Sequence, residues 1–168
     1  MTQAATPRQT GINAYRFLEQ WFIPFPPEQV WDVLADGRKL PLWWKGVYLK
    51  AEPLTEDRAP RVGAKLAGEA RGFLPYHLKF TIESIELERP RVVMVRTVGD
   101  LTGTWRAELA AEHSGTRVSI DEHVLAEKPL LRLLTPLLKP LFAANHRWTT
   151  PRGEAGLAAY LRERQTAG

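Results

Sequence analysis

From residue 15 the chain alternates, with Tyr15, Phe17, Glu19, Trp21 and Ile23 at period two and Arg16, Leu18, Gln20 and Phe22 between them. Neighbouring side chains of an extended segment point to opposite faces, so a strand is predicted, apolar on much of both faces. Pro24, Pro26 and Pro27 end it, because proline offers no N–H to a sheet ladder. Pro27 also suits the first turn of a helix, and Val30, Trp31 and Leu34 follow at helical spacing, with Glu28 near the positive N-terminal end. Asp36-Gly37 stops that helix. A second short helix is predicted over 38–45, carrying Leu40, Leu42, Trp43 and Trp44.

Strand-and-turn punctuation then takes over. Strands are predicted at 47–53, 62–70, 76–87, 91–98, 101–111 and 116–125, separated by turn residues such as Arg89-Pro90, Gly99-Asp100 and Ser114-Gly115. The gaps are short enough for hairpins, which makes the sheet an antiparallel meander. The last third is helical: a short amphipathic piece over 130–134, then Thr135-Pro136 as N-cap and first turn of a longer helix. Leu138, Leu141, Asn145 and Trp148 share one face of it. Pro151 removes a hydrogen bond to the Arg147 carbonyl, so a kink or restart is expected there, in a region that Gly153 and Gly156 also weaken. Strand, two short helices, six strands and a long helix make an α+β order, in which one sheet packs a face on the terminal helix. Residues 1–13 read as a flexible tail and 14–168 as one domain.

Composition narrows the function classes. Of 168 residues, 44% are hydrophobic and 25% charged, an ordinary globular balance. Lys and Arg outnumber acids 23 to 19, but the basic residues are scattered among acids, whereas nucleic-acid binding calls for a clustered stripe. The absence of cysteine removes disulfides, thiol nucleophiles and Cys-ligated metals, and it suits a cytoplasmic location. Residues 1–13 are polar, with no apolar core behind a basic start, so no secretory leader is read there. The most apolar stretch, 129–144, is interrupted by Arg132, Pro136, Lys139 and Pro140 and is too broken to span a bilayer, although transient contact with a membrane surface stays open. No GxGxxG, P-loop lysine or GxSxG motif occurs and no two histidines show metal-ligand spacing, so neither a metal nor any other cofactor is expected.

Several segments together resemble a known superfamily. They are Ile23-Pro24-Phe25-Pro26-Pro27-Glu28-Gln29-Val30-Trp31-Asp32-Val33-Leu34, the hairpin from Gly99-Asp100-Leu101 to Trp105, Gly115-Thr116-Arg117-Val118, and Asn145-His146-Arg147-Trp148 followed by Arg152-Gly153-Glu154. In order and spacing the chain is similar, over about residues 14–164, to the START-like, SRPBCC or Bet v 1-like superfamily, and to its polyketide cyclase/dehydrase and lipid-transport branch. The resemblance implies a helix-grip fold: a curved antiparallel seven-stranded sheet wrapped around a long C-terminal helix, with two short helices after the first strand. It also implies a small hydrophobic ligand (lipid, polyketide or aromatic compound) held between sheet and helix by a carrier or sensor. Two alternatives stand beside that: a cyclase or dehydratase working through a cavity carboxylate, and a module that docks on protein or membrane. A monomer or weak dimer is expected.

On such a fold, inward alternation assigns Tyr76, Leu78 and Phe80 to one cavity wall and Trp105 to another. Phe17 and Trp21 join from the first strand and Trp44 from the short helices, while Leu138, Leu141, Phe142 and Asn145 face them from the long helix. The competing reading is a filled core with no room for a ligand. Period two also puts Glu19 and Glu122 on apolar faces, where an isolated carboxylate needs a partner or a proton. Glu122 is the candidate general acid or base, with Arg96 and Arg106 as candidate counter-ions. The blander alternative, a strand slip or an acid paired at the sheet surface, is the commoner arrangement. His146 could donate to a ligand oxygen or simply pack.

Overall fold

The computed structural model describes residues 14–56, 59–72, 77–126 and 129–167, with side chains described throughout except at 15, 126–143 and 145. Strand β1, Ala14–Ile23, runs into the proline cluster. Helix α1, Pro27–Leu34, starts with proline in its first turn and buries Val30, Trp31, Val33 and Leu34. The indole N–H of Trp31 donates to the Val92 carbonyl at 2.9 Å, which pins this helix to the sheet. The second helix is shorter than its pattern predicts. A 3-10 turn at Gly37–Lys39, capped by the Asp36 carboxyl, leads into α2, Leu40–Trp43.

The remaining strands are β2 (Tyr48–Pro53), β3 (Lys65–Arg71), β4 (His77–Glu88), β5 (Val92–Gly99), β6 (Leu101–Glu112) and β7 (Gly115–Ala126), each close to its predicted span. They form one sheet in the order β1-β7-β6-β5-β4-β3-β2, and every pairing is antiparallel. The meander therefore runs from β2 to β7, and β1 comes back to flank the last strand. Register aligns Phe17, Glu122, Trp105, Val95 and Ser84 in one row across the sheet. Directly opposed residues share a face, so this row faces one side.

Helix α3 is a single element, Pro129–Thr166, which corrects the expected break at Thr135-Pro136 and the restart at Pro151. No new helix begins at Thr135-Pro136, and none restarts at Pro151. The second outcome has a simple cause: Arg147 and Pro151 are both exposed, so the carbonyl that proline leaves without a partner lies on the solvent side. Among the described residues no helix is long and apolar enough to cross a membrane.

One end of the space between helix and sheet is filled. Leu157 and Leu161 of α3 pack with Trp21, Ile23, Val30 and Val118 in the main core. Two glycines let the helix come this close. A Cβ at Gly156 would sit 1.9 Å from the Trp43 carbonyl oxygen, and one at Gly153 2.8 Å from the rings of Trp21 and Trp44. Gly156→Ala should therefore destabilise the protein by about 1–3 kcal/mol despite alanine's better helix propensity, because the helix must lift off backbone rather than off a flexible side chain. A lower urea midpoint with an unchanged slope would show it.

Candidate functional site

Beyond the filled end, a hollow lies against the sheet beside α2. A second, smaller cluster of Ala70, Phe80 and Ile82, with Leu66 and Leu78 against it, sits across the sheet from the main core. Between the two lies a cavity of about 120 Å³. Its sheet wall includes Phe80, Ile82, Ser84, Val95, Trp105 and Glu122. Trp43, Trp44 and Tyr48 line it from α2 and the start of β2, and the exposed Ala59 and Lys65 stand at its rim with Arg38. Among the described residues, this part of the molecule holds a hollow rather than a filled core. The space is nonetheless smaller than the ~300–1,000 Å³ usual for ligand pockets, so any occupant beyond a few atoms needs the wall to widen.

Aromatic contacts stiffen the α2 side. Trp43 stacks on Trp44 with centroids 5.1 Å apart, Trp44 leans on Tyr48 at 5.4 Å, and Tyr48 meets the edge of Phe80 at 6.3 Å. The Trp44 N–H is spent on the Thr149 carbonyl of α3 at 3.0 Å. Trp43, only 2% exposed, is different: its ring N–H has no partner among the described residues. At the rim, burial works against the Asp36 carboxylate, but hydrogen bonds from Arg38 and the nearby Lys39 outweigh it and hold its pKa below the ordinary range.

Glu122 is the carboxyl group of the sheet wall. Its neighbours across the sheet are Phe17 and Trp105. Burial first, then the negative charge of Glu19, pushes its pKa up to about 7. Glu19 sits one step along the same face, on the edge strand, and is raised mainly by burial. Both of its oxygens are held: Oε1 accepts from Thr150 Oγ1 at 2.8 Å and Oε2 from Trp21 Nε1 at 3.1 Å. His146 of α3 lies between the two acids, with Nε2 against Glu19 Oε1 and Nδ1 3.8 Å from Glu122 Oε2. Phe17 stacks on its ring at 3.7 Å, and burial lowers its pKa to about 4. Tyr48 is raised above the usual phenol range by burial and by Glu122. An acid whose pKa is near neutrality can either accept or donate a proton at working pH.

Several expected site residues meet here. Trp44, Phe80, Trp105 and Glu122 line the cavity, while Phe17 stands outside its described lining, opposite Glu122 in the sheet and stacked on His146. Three more do not belong to it. Trp21 is a correction: it is 2% exposed in the filled core, edge-on to Trp43 and Trp44 at 6.5 and 5.7 Å. Leu78 packs beside Phe80 in the smaller cluster and does not appear in the cavity wall. Arg96 is corrected as well, since it lies on the exposed face one residue out of phase with Val95 and pairs with Glu83 at 2.7 Å. Tyr76 lies outside the described residues, and so do the side chains of Leu138, Leu141, Phe142 and Asn145 on α3. Tyr48 and the unpartnered N–H of Trp43 escape the sequence reading. The only signal for Tyr48 was its place two residues after Gly46, at the head of a strand.

A curved seven-stranded antiparallel sheet gripping a terminal helix defines the Bet v 1-like helix-grip class, and the described lining of the hollow comes from the sheet and from the segment running from the end of α1 through α2 to β3. Solved structures agree on that fold. A protein of Thermus thermophilus, TTHA0849, has TM-score 0.74 at 17% identity, covering 89% of this chain and 99% of its own. The Zhui aromatase/cyclase of Streptomyces sp. R1128 has TM-score 0.74 at 13% identity, covering 92% and 98%. The norcoclaurine synthase of Thalictrum flavum, a point mutant in complex with a transition-state analogue, has TM-score 0.58 at 14% identity, covering 96% and 99%. No curated protein matches the sequence. Residues 23–148 match the family described as polyketide cyclase/dehydrase and lipid transport, and the chain belongs to it.

Proposed function

We propose that the protein binds a compact, mostly apolar molecule whose one carbonyl or hydroxyl group docks on Glu122. The observation that carries this reading is the placement of the Glu122 carboxyl, with a pKa of about 7, on a sheet wall that also presents Phe80, Ile82, Val95, Leu101, Trp105 and Val124. Apolar walls supply affinity and a few fixed polar groups supply orientation. Family membership supports a lipid or polyketide ligand, and the proposal takes an aromatic compound as the third class, held by one domain at 14–168 that works in the cytoplasm as a monomer or weak dimer. A second reading, proton transfer in a cyclisation or dehydration, is favoured by the same pKa, which lets Glu122 give or take a proton near pH 7.

Calorimetric titration with 2-naphthol and with naphthalene tests the docking. At pH 6 the wild-type protein should bind 2-naphthol about tenfold more tightly than naphthalene, the worth of one good hydrogen bond. Glu122→Leu should erase that preference. Equal affinities in the wild type, or binding of neither compound, would overturn the proposal.

A further inference from the structure

We infer that Glu19 and His146 form a proton relay that serves Glu122 from the seam between β1 and α3. The inference rests on the reading that Glu122 meets the bound molecule, and it assigns work to two residues that need not touch that molecule.

The geometry is that of a relay held in place. Each nitrogen of the imidazole faces a carboxyl group, Nε2 against Glu19 and Nδ1 3.8 Å from Glu122. Glu19 is anchored on both oxygens, by Thr150 from the helix and by Trp21 from its own strand. Phe17 fixes the ring plane, with only 15° between the two rings. The Nδ1 gap exceeds the ~3.2 Å limit of a direct hydrogen bond, so a shift of under about 1 Å in the Glu122 side chain, or one bridging water, completes the path.

The described surroundings of the cluster hold acids, an imidazole and hydroxyl groups. Around the cluster stand Glu19 on β1, Glu122 on β7, Tyr48 on β2, and His146, Thr150 and Glu154 on α3; the nearby Arg16, Asp121 and His123 occupy the opposite face of the sheet and pair there. No lysine or arginine among the described residues pairs with Glu19 or Glu122. Among these described groups, protons do the neutralising. The raised acids and the lowered imidazole fit a neutral ring near pH 7.

The step conserves protons. Glu19 carboxylic acid gives its proton to Nε2 while the Nδ1 proton passes to the Glu122 carboxylate. The ring ends neutral in its other tautomer, Glu19 ends as the carboxylate, and Glu122 ends as the neutral acid holding the proton it offers to a ligand oxygen. Glu19 and His146 are positioning and proton-carrying residues in this scheme.

The test is nuclear magnetic resonance of the full chain without ligand, with 15N-labelled histidine and carboxyl-13C-labelled glutamate. Both His146 nitrogens should show partial protonation between pH 5 and 8, and the balance between them should move with the Glu122 titration. Glu19→Gln should lock one tautomer and lower the Glu122 midpoint towards the ordinary range, whereas Glu154→Gln should keep the tautomer exchange. A wild-type ring held in one tautomer across that range, indifferent to the Glu122 titration, would sink the relay. That outcome with the 2-naphthol preference intact defeats the relay alone; loss of the preference with exchange intact defeats the docking reading instead.

Discussion

Trp21→Ala is expected to cost about 3–5 kcal/mol and to lower the melting temperature by roughly 10 °C, the largest loss foreseen for any single residue here. The side chain is 2% exposed and touches both neighbouring tryptophans, so its removal leaves a large void where Gly153 lets α3 come down on the sheet. It also strips Glu19 of one of its two described donors. Trp21→Phe separates the two effects, since it keeps most of the packing and loses only the N–H. We expect Phe to restore more than half of the stability in urea unfolding while leaving Glu19 loosened. If alanine costs less than about 1 kcal/mol, Trp21 is not the keystone of the filled end.

Glu122→Gln should act in the opposite direction, stabilising the protein at pH 8 by up to about 3 kcal/mol. A carboxyl raised from 4.5 to about 7 on folding contributes stability that is fully present below pH 4.5 and is lost as pH rises through 7. Above that, the folded chain carries a buried charge that water would solvate better, and glutamine removes it. His146 works the other way. Lowered from 6.5 to about 4, it contributes stability present above pH 6.5 and lost as pH falls through 4. Over pH 4.5–6.5 the two slopes oppose, and the wild-type curve should be nearly flat. Glu122→Gln should uncover the acid-side fall caused by His146. Denaturant midpoints at pH 5, 6.5 and 8 check this, and a variant less stable than the wild type at pH 8 would contradict it.

The strands, α1 and the sheet-with-terminal-helix order were legible because each rests on a local rule. Alternation marks the strands, prolines end β1 and open α1, and hairpin-length gaps force antiparallel neighbours. The helix boundaries misled for an equally physical reason. Thr135-Pro136 and Pro151 carry the marks of a helix start or break, yet proline interrupts a helix only where its neighbours cannot tolerate the lost hydrogen bond, and at Pro151 that position faces solvent. Gly153 and Gly156 likewise read as weak points until the tryptophans beneath them are seen.

Period two was enough to place Glu19 and Glu122 on an apolar face, because side-chain direction in a strand is a local property. It could not say how far along that face the helix closes, and so could not separate Trp21, in the core, from Trp105, in the cavity wall. That depended on the return of β1 to the side of β7, which sets Phe17 opposite Glu122, and on the seating of α3, which lays His146 between the two acids. Those contacts join residues far apart along the chain. Local pattern determines which way each side chain points, and only the assembled tertiary structure decides which other side chain it meets.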